Sequence, residues 1–217
     1  MSNFFDAFTA DNLSYLLAGL GVTVGVSIIS VILSLIFGSL IGIIQFEKIP
    51  YFSLLVGTLN NIVRNLPLLL IIFFTYFALP QLGFHLPIFW ATVAAMTFFE
   101  SAMLAEIVRG GLEAVDRGQF EGARANGLSN GQTMVHIVLP QAYKKMIPPI
   151  ISQLISLVKD TSLASGVVLA EMTYRGQIVY AQNTNYIVPV LIALTLVYFL
   201  LNYGLSLVAK WCDKKLA

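Results

Sequence analysis

The sequence predicts an all-α membrane protein: five transmembrane helices, N-terminus out and C-terminus in, with a cytoplasmic helical element between helices 3 and 4. Three observations predict it. The 217 residues are 58% hydrophobic and 11% charged, against roughly 25% charged in soluble domains, and mean hydropathy is +0.83. Five segments reach the length of about 20 mostly apolar residues that a spanning helix needs. The basic residues gather on one set of connections, which fixes orientation.

The five segments are residues 15–44, 52–79, 86–108, 147–169 and 187–209. The first is longer than one straight crossing requires, so it tilts or begins outside the bilayer. It carries two G-x-x-x-G patterns, Gly21/Gly25 and Gly38/Gly42, a spacing that lets helix backbones approach closely. Lys48, Arg109, Arg117, Arg124, Lys144, Lys145, Lys210, Lys214 and Lys215 fall on one set of faces, and only Arg175 on the other. Arg64 and Lys159 lie within spans. Trp90 and Trp211 sit near span ends, where indole suits the interface. The start, MSNFFDAFTADN, lacks the basic residues of a secretory signal. It fits a short amphipathic segment on the membrane surface.

Composition also excludes function classes. A net charge of +1 gives no footprint for nucleic acid. One cysteine, Cys212, and two distant histidines, His85 and His136, offer neither a disulfide nor a metal site. No G-x-x-x-x-G-K-[ST] loop is present for a nucleotide, and no H-E-x-x-H for a metal-dependent hydrolase.

The most soluble stretch is EGARANGLSNGQTMVHIVLP, residues 121–140. The polar segment from 115 to 132 favours a helix, Gly127 suits its C-terminal left-handed position, and LSNG reads as a turn. A second short helix, GQTMVHIVL, is expected to end at Pro140. On the cytoplasmic face such an element has no core of its own, which points to a partner.

Polar residues inside a span cost about 2.5–3.5 kcal/mol each when ionisable and are functional candidates by default. Asn60, Asn61, Arg64 and Asn65 form a broad polar face on the second span. Pro67 should then leave the Val63 carbonyl without its helical donor. Glu100 lies deep in the third span, and Glu106 with Arg109 can pair at i, i+3 near its end. Lys159-Asp160-Thr161-Ser162 crosses the middle of the fourth. One reading is a zwitterion site: Arg64 for a carboxylate, Asp160 with Glu100 or Thr161 for an ammonium, Asn61 and Ser162 for neutral hydrogen bonds. The plainer reading is a set of ion pairs that hold the bundle, such as Arg64 with Asp160 or Lys159 with Glu100.

The spacing E-G-A, three residues, Gly127, nine residues, Ile137-Val138-Leu139-Pro140 resembles the EAA loop of permease subunits of bacterial ABC importers. Gly122 departs from the usual Ala. The runs AEIVRGGLEAVDRGQFEGARANGLS, LPQAYKKMIPP and LVKDTSL are similar to the polar amino-acid uptake branch and cover residues 105–163 densely. The resemblance implies one transmembrane permease domain over residues 1–217, in the cytoplasmic membrane of a bacterium. It implies that the loop at about 115–140 forms a coupling helix, with Glu121, Gly122, Ala123 and Gly127 at its contact with a separate ATPase dimer. That dimer, not this chain, would bind ATP and Mg, so the chain is no enzyme and holds no cofactor. A second permease subunit, an extracytoplasmic binding protein facing residues 171–186, and a polar amino acid complete the implied assembly. Glutamine or glutamate is favoured; a basic amino acid is the alternative. An ATP-independent transporter or channel is the remaining reading, less suited because it needs no cytoplasmic docking helix.

Overall fold

The computed structural model describes residues 2–216, with side chains from Phe4 to Trp211. The Cys212, Lys214 and Lys215 side chains lie outside this set. Among the described residues every element is helical and no strand occurs.

Helix α1 (Ala10–Phe46) begins after Thr9, whose Oγ1 accepts the Asn12 amide at 3.2 Å. Its 37 residues measure about 55 Å at 1.5 Å per residue, nearly twice the hydrocarbon core of about 30 Å. The 3₁₀ turn before it, Ser2–Phe8, places the fully buried Ala7 against Leu16, Met172 and Val190. This segment therefore docks on the bundle rather than lying free on the membrane.

One face of α1 is built from small residues: Gly19, Thr23, Ser27, Ser30, Ser34, Gly38 and Gly42 are all buried. Ile28, Ile32, Ile36 and Leu40 project from the other side and are exposed, as a lipid-facing surface requires. Gly19 and Thr23 of this face meet residues 171–175, and further along it packs on α4 (Ile88–Glu113), the helix with most buried residues. The approach is tight enough that a Cβ on Gly42 would lie 2.6 Å from the Ala105 carbonyl oxygen, and one on Gly38 2.7 Å from Leu104 Cβ. Of the two glycine pairs, only Gly38/Gly42 makes this contact, since a Cβ on Gly21 would meet nothing within 4 Å.

The second predicted span is not one helix. Helix α2 (Phe52–Arg64) and the apolar segment Leu68–Leu82 meet at 101°. That segment comprises α3 (Leu68–Phe73), a π turn (Phe74–Ala78) and a 3₁₀ turn (Leu79–Leu82). Pro67 disfavours the helical conformation of Leu66 and cannot donate. The Val63 carbonyl is not left free, however: the Leu66 amide donates to it at 3.1 Å.

Beyond α4 the chain continues as α5 (Arg117–Ala125). Gly127 then turns the chain with φ +83°, a conformation that favours glycine. Ser129 and Gln132 form a reciprocal capping box that starts α6 (Asn130–Thr133). Pro140 does not end a helix here. A π turn, Met134–Val138, absorbs the missing donor, and the chain continues into α7 (Leu139–Asp160). Helix α7 runs into a 3₁₀ segment, Thr161–Val167, closed by Val168 at φ +66°.

Residues 171–186 are likewise no loop. Helix α8 (Met172–Ala181) buries Met172, Gly176 and Val179 and precedes the final helix α9 (Ile187–Leu216). Among the described residues, three helical stretches are long and apolar enough to cross a membrane: Ala10–Phe46, Ile88–Glu113 and Thr184–Trp211. The bent pair makes a fourth if counted as one span. The predicted fourth, 147–169, is split between α7 and its 3₁₀ extension and is not among the qualifying stretches.

Three apolar clusters form the core, two of them on α4 and one on the first turns of α1. A central one joins Val26, Ile72, Met96 and Leu157. A second joins the N-terminal turn, α8 and α9. The third joins Leu112, Val115, Val138 and Ala142 beneath α5.

Overpacking a close contact costs about 1–3 kcal/mol, so Gly42→Ala should lower the thermal unfolding midpoint in detergent. Gly21→Ala, which meets nothing, should leave it unchanged or raise it slightly. Equal effects at both positions would refute the close α1–α4 packing.

Candidate functional site

The intramembrane polar residues divide into two groups on α4. Glu100 is fully buried; its Oε2 accepts from Gln153 Nε2 of α7 at 2.9 Å. Its Oε1 is buried without a hydrogen-bond partner among the described residues, an arrangement that costs free energy unless something else satisfies it. Asp160, at the end of α7, is near enough to add its charge to that of Glu100.

Glu106 belongs to the other group. Arg64, the last residue of α2, sets Nη1 3.3 Å from Glu106 Oε2. Arg109 donates through Nη2 to Glu106 Oε1 and through Nε to Oε2, the latter at 3.3 Å. Arg109 also reaches Glu113 at 2.7 Å. The result is a ladder of alternating charge, Arg64–Glu106–Arg109–Glu113, on the last turns of α4. Neither Arg64–Asp160 nor Lys159–Glu100 occurs among the described ion pairs. Glu100 and Glu106 stand six residues apart, hence about 9 Å along the axis and about 120° around it. The two groups thus face different neighbours, α7 and α2.

The neutral candidates are occupied locally. The Asn61 carbonyl accepts from Asn65 Nδ2 at 2.7 Å, and the Asn61 side chain is exposed. Thr161 is buried and donates to the Val158 carbonyl at 2.7 Å. Ser162 donates to the Lys159 carbonyl at 2.8 Å. Asn60, the neighbour of Asn61, is buried and donates to the Ala102 carbonyl of α4 at 3.2 Å, which ties α2 to α4.

A concavity of about 1040 Å³ lies between α1, α2 and α4. Phe37, Leu59, Val63 and Phe98 line it, and none of the candidate charges does. Its chemistry suits an apolar occupant and sets it apart from the polar groups.

Sequence inspection passed over Glu171. It is fully buried and caps α8, accepting the Thr173 and Tyr174 amides at 2.9 and 2.7 Å. Tyr198 of α9 donates to it at 3.0 Å and Thr23 of α1 at 3.4 Å. One carboxylate therefore joins three helices. The legible signal was an acid just ahead of the helical run MTYRGQIVYA. Arg175 is also bound inward: it donates to the Tyr15 carbonyl at 3.0 Å and lies 4.5 Å over the Tyr15 ring.

Between α4 and α7, Asp116 caps α5 by accepting the Gly118 amide at 2.7 Å. Ala123 is buried beneath it, whereas Glu121, Gly122 and Gly127 are exposed. A Cβ on Gly122 would meet nothing within 4 Å, so the outer surface of α5 is open. Its inner surface is anchored three ways. Phe120 stacks on Phe46, at the end of α1, with centroids 6.3 Å apart. Gln141 donates to Gln119 at 3.1 Å. Lys145 donates to the Ala114 carbonyl just before α5. A cleft of about 640 Å³ between α5, the end of α4 and Lys48 holds Glu121, Arg117 and Arg124 at its rim.

Aromatic pairs contribute about 0.5–1.5 kcal/mol beyond area burial. Phe46→Ala and Phe120→Ala should each speed amide exchange across residues 117–125, and the double variant should add little to either. Exchange unchanged in both single variants would show that the stack does not hold α5.

Against this geometry, residues 34–217 match the family described as binding-protein-dependent transport system inner membrane component. A probable glutamine ABC transporter permease protein GlnP of Bacillus subtilis (strain 168) is 48% identical over 210 residues, 96% of each chain. An arginine transport system permease protein, ArtQ, of the same organism is 33% identical over 96% of this chain and 95% of its own. A crystal structure of an amino acid ABC transporter with histidines superposes with a TM-score of 0.88 at 27% identity, covering 95% of this chain and 96% of that one.

Proposed function

We infer the role of this chain from its family: it belongs to the binding-protein-dependent transport system inner membrane components. It is a membrane permease of an ABC importer for polar amino acids, and not a catalytic subunit. Glutamine is the favoured cargo, with glutamate next, because the 48% identical relative carries glutamine in its name. A basic amino acid is the second reading, supported by the arginine permease relative and by the buried Glu100.

The single observation that carries the mechanism is the cytoplasmic helix α5, open on one surface and anchored to α1 and α7 on the other. We take its outer surface, Glu121 and Gly122, with Ala123 beneath and Gly127 at its end, as the contact with an ATPase dimer that supplies ATP and Mg chemistry. Closure of that dimer would carry α5, and with it the helices it grips, so that the pathway opens alternately to either side. The whole chain acts as one permease domain. Five crossings, N-terminus out and C-terminus in, result when the bent α2–α3 pair and α7 with its 3₁₀ extension each count as one; nine bases against one support that orientation. So few helices cannot enclose a pathway alone, so a second permease subunit is part of the assembly. An extracytoplasmic binding protein delivers the amino acid.

Within the membrane, Arg64 is assigned to the carboxylate of the cargo. Asp160, Glu100 and Thr161 are assigned to its ammonium, and Asn61 and Ser162 to neutral hydrogen bonds. An unpaired buried Glu100 oxygen and an Arg64 whose Nε has no hydrogen-bond partner among the described residues support this.

Two measurements test the proposal. Proteoliposomes holding the permease, its ATPase and its binding protein should accumulate glutamine only with internal ATP; uptake without ATP would favour a secondary transporter. Gly122→Trp should abolish co-purification with the ATPase while leaving permease yield and thermal stability intact, since a Cβ at this position meets nothing within the chain. Retained co-purification would place the ATPase contact elsewhere.

A further inference from the structure

We propose that Glu106 is a counterion latch on Arg64, which the carboxylate of the transported amino acid displaces. This rests on the assignment of Arg64 to that carboxylate. The two arginines around Glu106 are bound unequally. Arg64 makes one ion-pair contact, Nη1 to Oε2 at 3.3 Å. Its Nε is buried and has no hydrogen-bond partner among the described residues. A guanidinium presents five donors in a planar fork, and the edge formed by Nε with a terminal nitrogen is one that grips a carboxylate through two parallel bonds. That edge of Arg64 is not used by Glu106.

Glu106, by contrast, is held twice over. Arg109, one turn further along α4, donates to both of its oxygens. When Arg64 leaves, Glu106 keeps a complete partner and no carboxylate is stranded. The Arg64 and Glu106 side chains are 31% and 29% exposed, and a partly exposed pair of this kind is weak. An incoming carboxylate therefore exchanges for Glu106 with one anion replacing another at Arg64. The pair also joins the last residue of α2 to α4 at the 101° bend. Its exchange frees the end of α2 from α4, while Asn60 still ties the middle of α2 to Ala102. Glu106 is thus a positioning residue, acting on the cargo through Arg64.

The alternative is a static brace between α2 and α4. Equilibrium binding of radiolabelled glutamine to the detergent-purified permease–ATPase complex, without binding protein, separates the two. Glu106→Gln removes the competing charge. Glu106→Asp keeps a charge for Arg109 but withdraws it from Arg64. Both should tighten binding about three-fold, the scale of a weak exposed pair. Arg64→Gln should weaken binding, and adding Glu106→Gln to it should change nothing further. Unchanged affinity in both Glu106 variants, tightening that survives in Arg64→Gln, or loss of assembly in both would overturn the latch in favour of a brace. If the wild-type complex transports glutamine but neither it nor any variant binds it, the assignment of Arg64 to cargo fails and the latch with it. If the wild type binds and the Glu106 variants match it, the latch alone fails.

Discussion

Everything in this fold is referred to the close approach of α1 and α4. A membrane gives helices no hydrophobic reason to prefer each other over lipid, so association rests on packing and on hydrogen bonds. The chain meets that constraint with a stripe of glycine, serine and threonine from Gly19 to Gly42, which brings two backbones close enough that a single methyl at Gly38 or Gly42 would collide. Helix α4 thereby becomes the central post. It presents Glu100 to α7, Glu106 to α2 and Leu112 to the cluster beneath α5. Displacing α4 from α1 would alter all three at once.

Much of this is legible in the sequence because hydropathy and loop charge report directly on the bilayer. Spans one, three and five appear as helices near their expected places, and Gly127 takes the left-handed turn its position suggests. What is not legible depends on local backbone choices that hydropathy does not record. Pro67 breaks a helix whereas Pro140 does not. The difference lies in the backbone ahead of each proline. A π turn before Pro140 shifts the hydrogen-bond register, while Pro67 comes after an Asn-Leu pair that has already left the helix. Helix α8 is not among the predicted spans, since it is short, and the partners of its capping carboxylate, Glu171, lie on helices distant in sequence.

The site shows the same division. Composition picks out Arg64, Glu100 and Asp160 because charge in a span is costly, yet it cannot give their partners. Pairing by sign alone suggests Arg64 with Asp160. The helix geometry instead places Glu106 under Arg64, and the 120° turn between Glu100 and Glu106 separates the acids. Glu106 was legible as half of an i, i+3 pair with Arg109. Its second contact required the bend at Pro67, which brings the end of α2 against α4.

The anchoring of α5 has a mechanical consequence for transport. Its grips reach α1 through Phe46 and α7 through Gln141, and α7 is in turn tied to the end of α4 by the Lys145 bond to Ala114. Since α1 and α4 are in near-backbone contact, a force on α5 cannot separate them cheaply and must move them together. The bent α2–α3 segment lacks that backbone contact and is held to α4 by two polar ties among the described residues, Asn60 with Ala102 and Arg64 with Glu106. Relative motion within the chain therefore concentrates where α2 ends. That is also where Arg64 stands, so the residue proposed to receive the cargo carboxylate lies at the junction of α2 with α4. On that proposal, cargo occupancy and helix movement would meet at one ion pair, without a longer route between them.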